Sequence, residues 1–248
     1  MLIRSLGPAF RCPSSSSLVV LKSSNPKPFH LCRRRCLRMM SSSIEHVVLF
    51  KVKDSTDSSK LSAMVDGLSG LTSLDQVLHL TAAPLHRTRS APVPFTHLLH
   101  SRYGSKEDLA AYSAHPAHVA VVKEKVLPFC DDVMAVDWIA DGDLSAPGPG
   151  SAVRLTLLKL KEECSDEKQK EEVLSIVRGC FDKVLQSSVG ENFSPARAKG
   201  FTVASLAVYR TVEDLEEADN SALEAKVRPY IDDIVDVEYV IPYSSANL

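Results

Sequence analysis

The sequence predicts an α+β fold in which two ferredoxin-like repeats form an intramolecular α/β barrel from two four-stranded antiparallel sheets. The first observation is an internal repeat, because "KVLPFCDDVMAVDWI" from Lys125 returns as "KVRPYIDDIVDVEYV" from Lys226. The second is the order strand, helix, strand, strand, helix, strand, which both repeats share and which is ferredoxin-like. The third is the segment "DGDLSAPGPGS" between them, whose Gly and Pro residues are typical of a linker.

Two further blocks match in the same order along the chain. "HVVLFKVKD" from His46 corresponds to "RLTLLKLKE" from Arg154, and "FTHLLHSRYGSKEDL" from Phe95 corresponds to "FTVASLAVYRTVEDL" from Phe201. A repeat of this length is typical of duplicated domains rather than of solenoid units. We therefore predict a first repeat at 44–140, a linker at 141–151, a second, degenerate repeat at 152–242 and a C-terminal tail at 243–248.

The first repeat begins with a predicted strand at 44–53, whose alternation places apolar residues and His46 on one face. A helix follows, because apolar residues recur at helical spacing at Leu61, Met64, Val65, Leu68 and Leu71. Strands are expected near 75–83 and 93–102, then a helical region at 106–127 and a last strand at 132–140. The second repeat shows the same helical spacing at Val173, Ile176, Val177, Cys180, Phe181 and Val184.

Each sheet of this kind carries its helices on one side and leaves the other side uncovered. Several residues of the uncovered side are apolar, so we expect the two repeats to bury these sides against each other. The barrel would then close within one chain and need no second subunit. Whether two such chains associate further is left open by the sequence.

The first 43 residues differ in composition from the rest of the chain. They contain no Asp or Glu, whereas Ser and the basic residues Arg4, Arg11, Lys22, Lys27, Arg33, Arg34, Arg35 and Arg38 are frequent. This composition predicts an organelle transit peptide, with a disordered basic tail as the alternative. We expect a chloroplast first and a mitochondrion second. A start at Met39 or Met40, with the C-terminal Ala246-Asn247-Leu248 as a loose peroxisomal signal, is a further alternative.

The bulk composition excludes several classes of function. The formal net charge is -2, and Lys and Arg do not cluster beyond the first 43 residues, so we expect no nucleic-acid partner. No apolar run is long enough to cross a bilayer, so we expect no membrane partner. Cys130, Cys164 and Cys180 form no paired framework and are predicted to be reduced packing residues.

The candidate site residues are histidines and a tyrosine of the first repeat. His46 lies in the first strand, His97 in the third strand, and Tyr112 and His118 flank the segment "SAHPAH". A single strand histidine is usually a buried core residue, but convergence of these four on an apolar wall favours acid–base catalysis. Burial keeps an imidazole neutral and able to accept a proton, and a tyrosine hydroxyl can stabilise an oxyanion.

Two other interpretations of the same segment remain open. His115 and His118 have nearly the spacing of zinc ligands, although Pro116 begins a predicted helix and no acidic residue stands nearby. Alternatively, Ser113 or His115 caps that helix, a role that can coexist with catalysis by His118.

Taken together, "EHVVLFKVKDS" and "FTHLLHSRYGSKEDLAAYSAHPAHVAVVKEKVLPFCDDVMAVDW" resemble the stress-responsive dimeric α/β-barrel (Dabb) family of plants. The resemblance covers 44–140 strongly and 152–242 faintly, as in members with tandem copies. Plant polyketide cyclases of this family, such as olivetolic acid cyclase, carry catalytic residues at the positions of His46, His97, Tyr112 and His118. The resemblance implies that His118 is the base and that Tyr112 holds the substrate carbonyl. Phe95 and His115 are expected to contact the substrate.

Some relatives bind magnesium through carbonyls at the end of the first helix. Here this implies a structural site near Asp66, Ser69, Gly70 and Thr72, and no other cofactor is expected.

The second repeat lacks the candidate residues. Arg154 stands opposite His46, Val203 stands opposite His97, the Tyr-x-x-His-Pro-Ala-His segment is missing, and no histidine follows His118. We expect the second repeat to be a structural partner, which leaves one pocket per chain. The predicted function is a stress-response barrel protein of a plant organelle that binds a small ligand or partner. The alternative is a cofactor-free polyketide-type cyclase or lyase with His118 and Tyr112; a haem-degrading monooxygenase of related fold is a weaker third.

Overall fold

The structure is a computed structural model and describes residues 42–142, 144–218 and 221–243. The predicted transit peptide, apart from its last two residues, and the C-terminal Ala246-Asn247-Leu248 lie outside the described residues. Within the described ranges, none of the helices has both the length and the apolar character that crossing a membrane would require.

The two repeats have the same element order. The first contains β1 (Ile44–Val52), α1 (Ser58–Gly70), β2 (Val77–Ser90), β3 (His97–Tyr103), α2 (Lys106–Ala114), α3 (Pro116–Val121) and β4 (Cys130–Ile139). The second contains β5 (Ala152–Leu160), α4 (Glu167–Arg178), β6 (Gln186–Glu191), β7 (Val203–Tyr209), α5 (Val212–Glu217), α6 (Ser221–Val227) and β8 (Ile231–Val240). Short 3₁₀ turns cover Leu71–Ser73, Glu162–Cys164, Pro195–Arg197 and Arg228–Tyr230, and a π-helical turn covers Val122–Val126.

Helix caps recur at matching places in the repeats. The carboxylates of Asp57 and Asp166 accept hydrogen bonds from the backbone N–H groups of Lys60 and Gln169, each at 2.9 Å. Ser105 and Thr211 cap α2 and α5 in the same way. A capping side chain satisfies a backbone donor that a helix cannot satisfy itself. The repeat is therefore visible in local structure as well as in apolar pattern.

The helical region predicted at 106–127 is broken into α2, α3 and the π-helical turn. Pro116 has no backbone N–H and cannot continue α2, so a new helix begins at that residue. His115 caps it, because its Nδ1 accepts a hydrogen bond from the Ala117 N–H at 3.2 Å. Of the two proposed caps, the structure therefore selects His115.

The eight strands form one antiparallel sheet in the order β4-β1-β3-β2-β8-β5-β7-β6. The predicted fold class is confirmed, and the two four-stranded halves are joined along β2 and β8. Leu85 pairs with Tyr239 and Thr88 with Val237 across this junction. This pairing explains why β2 extends to Ser90, beyond the predicted end at residue 83.

The two edge strands, β4 and β6, meet where the sheet curls round. Trp138 and Asn192 form an antiparallel bridge, and the indole N–H of Trp138 donates to the hydroxyl of Ser188 at 2.8 Å. Gly190 allows the close approach, since a Cβ there would lie 2.7 Å from the carbonyl oxygen of Ile139. The barrel interior is filled by one cluster of apolar side chains from both repeats. It includes Val47, Leu49, Leu98, Val136, Leu155, Leu206 and Val237.

The opposite face of each half-sheet carries the helices. In the first repeat, Met64, Leu68 and Leu109 of the helices pack against Phe50, Leu99 and Tyr103 of the strands. Because strand side chains alternate, His46 and Val48 lie on this helix-covered face rather than in the barrel interior. The candidate site therefore forms between sheet and helices.

Candidate active site in the first repeat

A pocket of about 430 Å³ lies between the sheet and the helices of the first repeat. His46, Tyr112 and His118 line it together with apolar side chains such as Val48, Leu68 and Leu99. Ala196, Arg197 and Lys199 of the second repeat also line it. The second repeat therefore contributes to the pocket directly, in addition to the structural role that the sequence predicts.

His46 is held by a carboxylate on the neighbouring strand. It pairs with Asp137 in the β1–β4 register, and its Nδ1 lies 2.5 Å from Oδ1 of Asp137. His46 is 5% exposed and Asp137 is 0% exposed. Since the carboxylate accepts the Nδ1 proton, the lone pair of a neutral His46 is on Nε2.

Asp137 is in turn held by the second repeat. Its Oδ2 accepts a hydrogen bond from the guanidinium of Arg197, and its backbone N–H donates to Oδ1 of Asn192 at 3.1 Å. Burial alone would raise the pKa of Asp137, but the hydrogen bond and charge of His46, with Ser194 and Arg197, lower it. The carboxylate therefore stays ionised at neutral pH.

His118 is oriented as a proton acceptor. Its Nδ1 lies 3.0 Å from the backbone carbonyl oxygen of Ser113, so Nδ1–H donates to that oxygen and Nε2 keeps a lone pair. Burial lowers the pKa of His118, and the charges of His46 and His115 lower it further, against a raising effect of the Ser113 hydrogen bond. The ring is therefore neutral at pH 7 and able to accept a proton.

Two tyrosines stand beside the histidines. The ring centroid of Tyr112 lies 4.6 Å from that of His118 and 5.0 Å from that of Tyr103. Burial raises the pKa of Tyr112 to about 12, against a lowering hydrogen bond from Tyr103. The Tyr112 hydroxyl therefore remains protonated and can donate to a carbonyl oxygen.

The other three predicted site residues do not line this pocket. His97 pairs with Phe50, four residues along β1 from His46, which corresponds to roughly 13 Å at the rise of a strand. Its Nδ1 lies 2.9 Å from the hydroxyl of Thr96. Phe95 packs into the barrel interior, and His115 caps α3. Alternation along a strand places residues on a face, but it does not tell how far apart they lie.

The sequence suggests two possible metal sites, one at His115 and His118 and one at the end of α1. Among the described residues, no group of three His, Cys, Asp or Glu side chains is placed to bind a metal ion. At the end of α1, the hydroxyl of Thr72 donates to the carbonyl of Ser69 at 2.8 Å, and that of Ser73 donates to the carbonyl of Gly70 at 2.9 Å. Each carbonyl oxygen keeps a second lone pair, so the magnesium site near Asp66, Ser69, Gly70 and Thr72 stays a prediction.

Two ferredoxin-like repeats that share one sheet and enclose a His–Tyr pocket define a tandem α/β-barrel protein. The chain belongs to the family described as Stress responsive A/B Barrel Domain, or Dabb, whose model matches residues 44–140 and again 152–241. The family expected from the sequence is thereby confirmed.

Two Arabidopsis thaliana proteins, both described as stress-response A/B barrel domain-containing proteins, are similar over most of the chain. One is 48% identical over 263 residues, covering 100% of this chain and 99% of its own. The other is 46% identical over 212 residues, covering 83% of this chain and 100% of its own.

Solved structures share the fold at low identity. A candidate monooxygenase from Fusobacterium nucleatum has a TM-score of 0.58 at 18% identity, covering 83% of this chain and 94% of its own. An anthrone oxidase-like protein has a TM-score of 0.55 at 13% identity, covering 82% and 92%. These likenesses concern the fold alone.

Proposed function

We propose that the first repeat of this stress-response A/B barrel protein binds a small, mostly apolar carbonyl compound and removes a proton from it without a cofactor. The observation that carries the proposal is the meeting of His46, Tyr112 and His118 in one pocket. Its volume of about 430 Å³ lies within the usual range of small-molecule sites. Apolar walls at Val48, Leu68 and Leu99 favour a hydrocarbon or aromatic body for the ligand.

Each polar group has a distinct task in this proposal. Nε2 of His118 accepts a proton from the carbon next to the carbonyl group, and the Tyr112 hydroxyl donates a hydrogen bond to the developing enolate oxygen. His46, fixed by Asp137, presents Nε2 as a second polar contact for the ligand. Proton removal of this kind is the first step of an aldol cyclisation, which supports the alternative of a polyketide-type cyclase or lyase.

The exchange of carbon-bound protons tests the proposal without knowledge of the natural substrate. The probe is 2-tetralone in D₂O, whose C1 protons can be followed by NMR. The wild-type chain is expected to accelerate exchange saturably, and His118→Gln is expected to slow it by about 100-fold. His86→Gln is the matched control, because His86 is an exposed histidine of β2 and does not line the pocket.

The outcomes separate binding from catalysis. Saturable binding of 2-tetralone with no exchange above buffer would reject proton transfer and retain a ligand-binding protein. Neither binding nor exchange would reject the proposal for this pocket. Equal rates for His118→Gln and the wild type would remove His118 as the base.

We also propose delivery to the chloroplast, with the mitochondrion and the peroxisome as alternatives. The support is the acid-free, Arg- and Ser-rich composition of residues 1–43. N-terminal sequencing of the protein from isolated chloroplasts is expected to find a start close to residue 44. A full-length chain recovered only from the cytosol would contradict the proposal.

A further inference from the structure

The second repeat contains a pocket at the place that corresponds to the candidate active site, and its chemistry is different. Val48 pairs with Leu99 in the first repeat, whereas Thr156 pairs with Ser205 at the same register of the second. Arg154 occupies the position of His46. Arg154, Thr156, Ser205 and Tyr209 all line a cavity of about 160 Å³. The positions that Val48 and Leu99 occupy in the first pocket are therefore polar in the second.

Arg154 has an unusual environment for an arginine. It is 3% exposed, and its Nη2 and Nε donate to Oε1 of Glu238 at 2.7 and 3.2 Å. Its Nη1 is buried and has no hydrogen-bond partner within the part of the chain that the structure describes. A buried donor without an acceptor is destabilising, and most such groups in proteins are satisfied. The guanidinium therefore has the capacity to bind one more acceptor.

The buried charges around Arg154 favour an anion as that acceptor. Glu238 accepts hydrogen bonds from three arginines, Arg87, Arg89 and Arg154. Asp236, 3.6 Å from Arg154, is the second carboxylate in contact with this guanidinium. Three guanidinium groups thus face these two buried carboxylates, and a third carboxylate, that of Glu216, lies 3.7 Å from Arg87 with its side chain 52% exposed to solvent. At the exposed mouth, Lys183 lies 3.9 Å from Glu217, and Asp182 is nearby, but exposed charges are screened by solvent.

We propose that this second-repeat pocket binds a small monocarboxylate, with the Arg154 guanidinium as its anchor. A planar guanidinium matches a carboxylate better than any other side chain does. The hydroxyl of Ser205, whose bond to the Thr156 carbonyl is 3.5 Å long, is available as a second donor. A volume of about 160 Å³ corresponds to roughly five water molecules, so the ligand has only a few carbon atoms. The proposal does not depend on the function of the first repeat.

An NMR titration of the full chain tests this site. Propionate is the probe, propionamide is its neutral equivalent, and ionic strength is held constant with sodium chloride. Propionate is expected to shift the backbone amides of 203–209 and the Arg154 Nε–H signal saturably in the millimolar range. Propionamide and chloride are expected to cause no saturable shift.

Two variants show which residues of the pocket bind propionate. Thr156→Val combined with Ser205→Leu installs the residues of the first repeat and is expected to weaken propionate binding at least tenfold. Lys183→Gln changes only an exposed lysine at the mouth and is expected to retain the affinity within twofold. Should the double variant not fold, Ser205→Ala removes one hydroxyl alone and is expected to weaken binding about threefold.

Three results would overturn the proposal. One is a linear, non-saturating response of the wild type up to 100 mM propionate. Another is an equal affinity for propionamide. The third is a result in which Lys183→Gln loses propionate binding while the folded Thr156→Val/Ser205→Leu variant keeps it. That result would place the anion at the exposed mouth.

Discussion

The carboxylates of Asp137 and Glu238 occupy the same position in the two repeats, yet they hold different partners. Asp137 binds His46, and Glu238 binds Arg154, which stands where His46 stands in the first repeat. An imidazole has one nitrogen that can accept a hydrogen bond when the ring is neutral, whereas a guanidinium only donates and stays charged. The same backbone position therefore holds a hydrogen-bonded imidazole in one repeat and an ion-paired guanidinium in the other.

Each of these carboxylates is completed by the opposite repeat. Asp137 accepts a hydrogen bond from Arg197 of the second repeat, and Glu238 accepts from Arg87 and Arg89 of the first. The arginines come from corresponding regions, around the connection between the second and third strands of each repeat. Each repeat thus supplies arginine side chains to the buried carboxylate of the other.

The largest expected effect on stability is in the second repeat, at the ion pair of Glu238 with its arginines. Glu238→Gln leaves three arginines without their shared carboxylate, and we expect the free energy of unfolding to fall by about 3 kcal/mol. Urea denaturation measures it. Glu224→Gln removes an exposed pair with Arg228 and should cost below about 0.5 kcal/mol. Similar losses in both variants would show that Glu238 has no special structural role.

In the first repeat, where Asp137 holds the imidazole of His46, the main expected effect is on the rate of proton exchange. Asp137→Asn no longer fixes His46 through a charged hydrogen bond, and we expect 2-tetralone exchange to slow by about tenfold, because the base His118 is unchanged. Asp131→Asn on the same strand is the control, since its side chain is 47% exposed. An unchanged exchange rate in Asp137→Asn would remove the His46–Asp137 pair from the mechanism.

The contact between β4 and β6 is expected to have an intermediate effect on stability. Trp138→Phe keeps an aromatic ring but leaves the Ser188 hydroxyl without the indole donor, so we expect a loss of about 1–2 kcal/mol in urea denaturation. Ser188→Ala in the Trp138→Phe background should cost little more, because the partner is already absent. Additive losses in the double variant would argue against this hydrogen bond.

The last expected effect depends on pH and concerns the barrel interior, where the first repeat holds buried histidine and glutamate side chains. Glu45 accepts from His100 at 2.7 Å, and the ring of His79 lies 5.1 Å from that of His100, whereas Val153 and Leu206 stand at the positions of Glu45 and His100. Burial, with the charges of His100 and Arg102 and against that of Glu45, lowers the pKa of His79 to about 3.

Between pH 6.5 and 3 the unfolded chain therefore binds a proton that folded His79 does not, and stability falls as pH falls through this window. His79→Asn should flatten the decline by up to about 1.4 kcal/mol per pH unit. Urea midpoints at pH 7, 6 and 5 measure this slope. Parallel curves for His79→Asn and the wild type would contradict the lowered pKa.

The sequence predicts the fold because apolar alternation and helical spacing are local, and the repeat shows them twice. It also predicts that His46, Tyr112 and His118 lie near one another. His46 is on the face of β1 that the helices cover, and Tyr112 and His118 belong to those helices. Asp137 was missed although it stands on the same strand face as Ala135, because the β1–β4 register was needed to pair it with His46. Arg197 lies in a 3₁₀ turn of the other repeat, where no local pattern indicates a site residue.

The sequence predicts only part of the role of the second repeat, because the rest depends on how the strands pair. Its missing histidines are visible in the sequence, but the contacts of Arg197 and Lys199 with the first pocket depend on how the two half-sheets join. In the sequence Arg154 shows only that His46 is absent; its polar neighbours, and an Nη1 that has no partner among the described residues, are visible only in the structure.

The most direct test gives the first repeat the ion pair of the second. The double variant His46→Arg/Asp137→Glu should remain folded, because Arg154 and Glu238 occupy these positions in the second repeat. The measurement is its rate of 2-tetralone proton exchange at pH 7. The account predicts a rate about tenfold below that of the wild type, because the His46 contact with the ligand is lost while His118 and Tyr112 remain, with a urea midpoint close to the wild-type value. Exchange at the wild-type rate in the folded variant would contradict it.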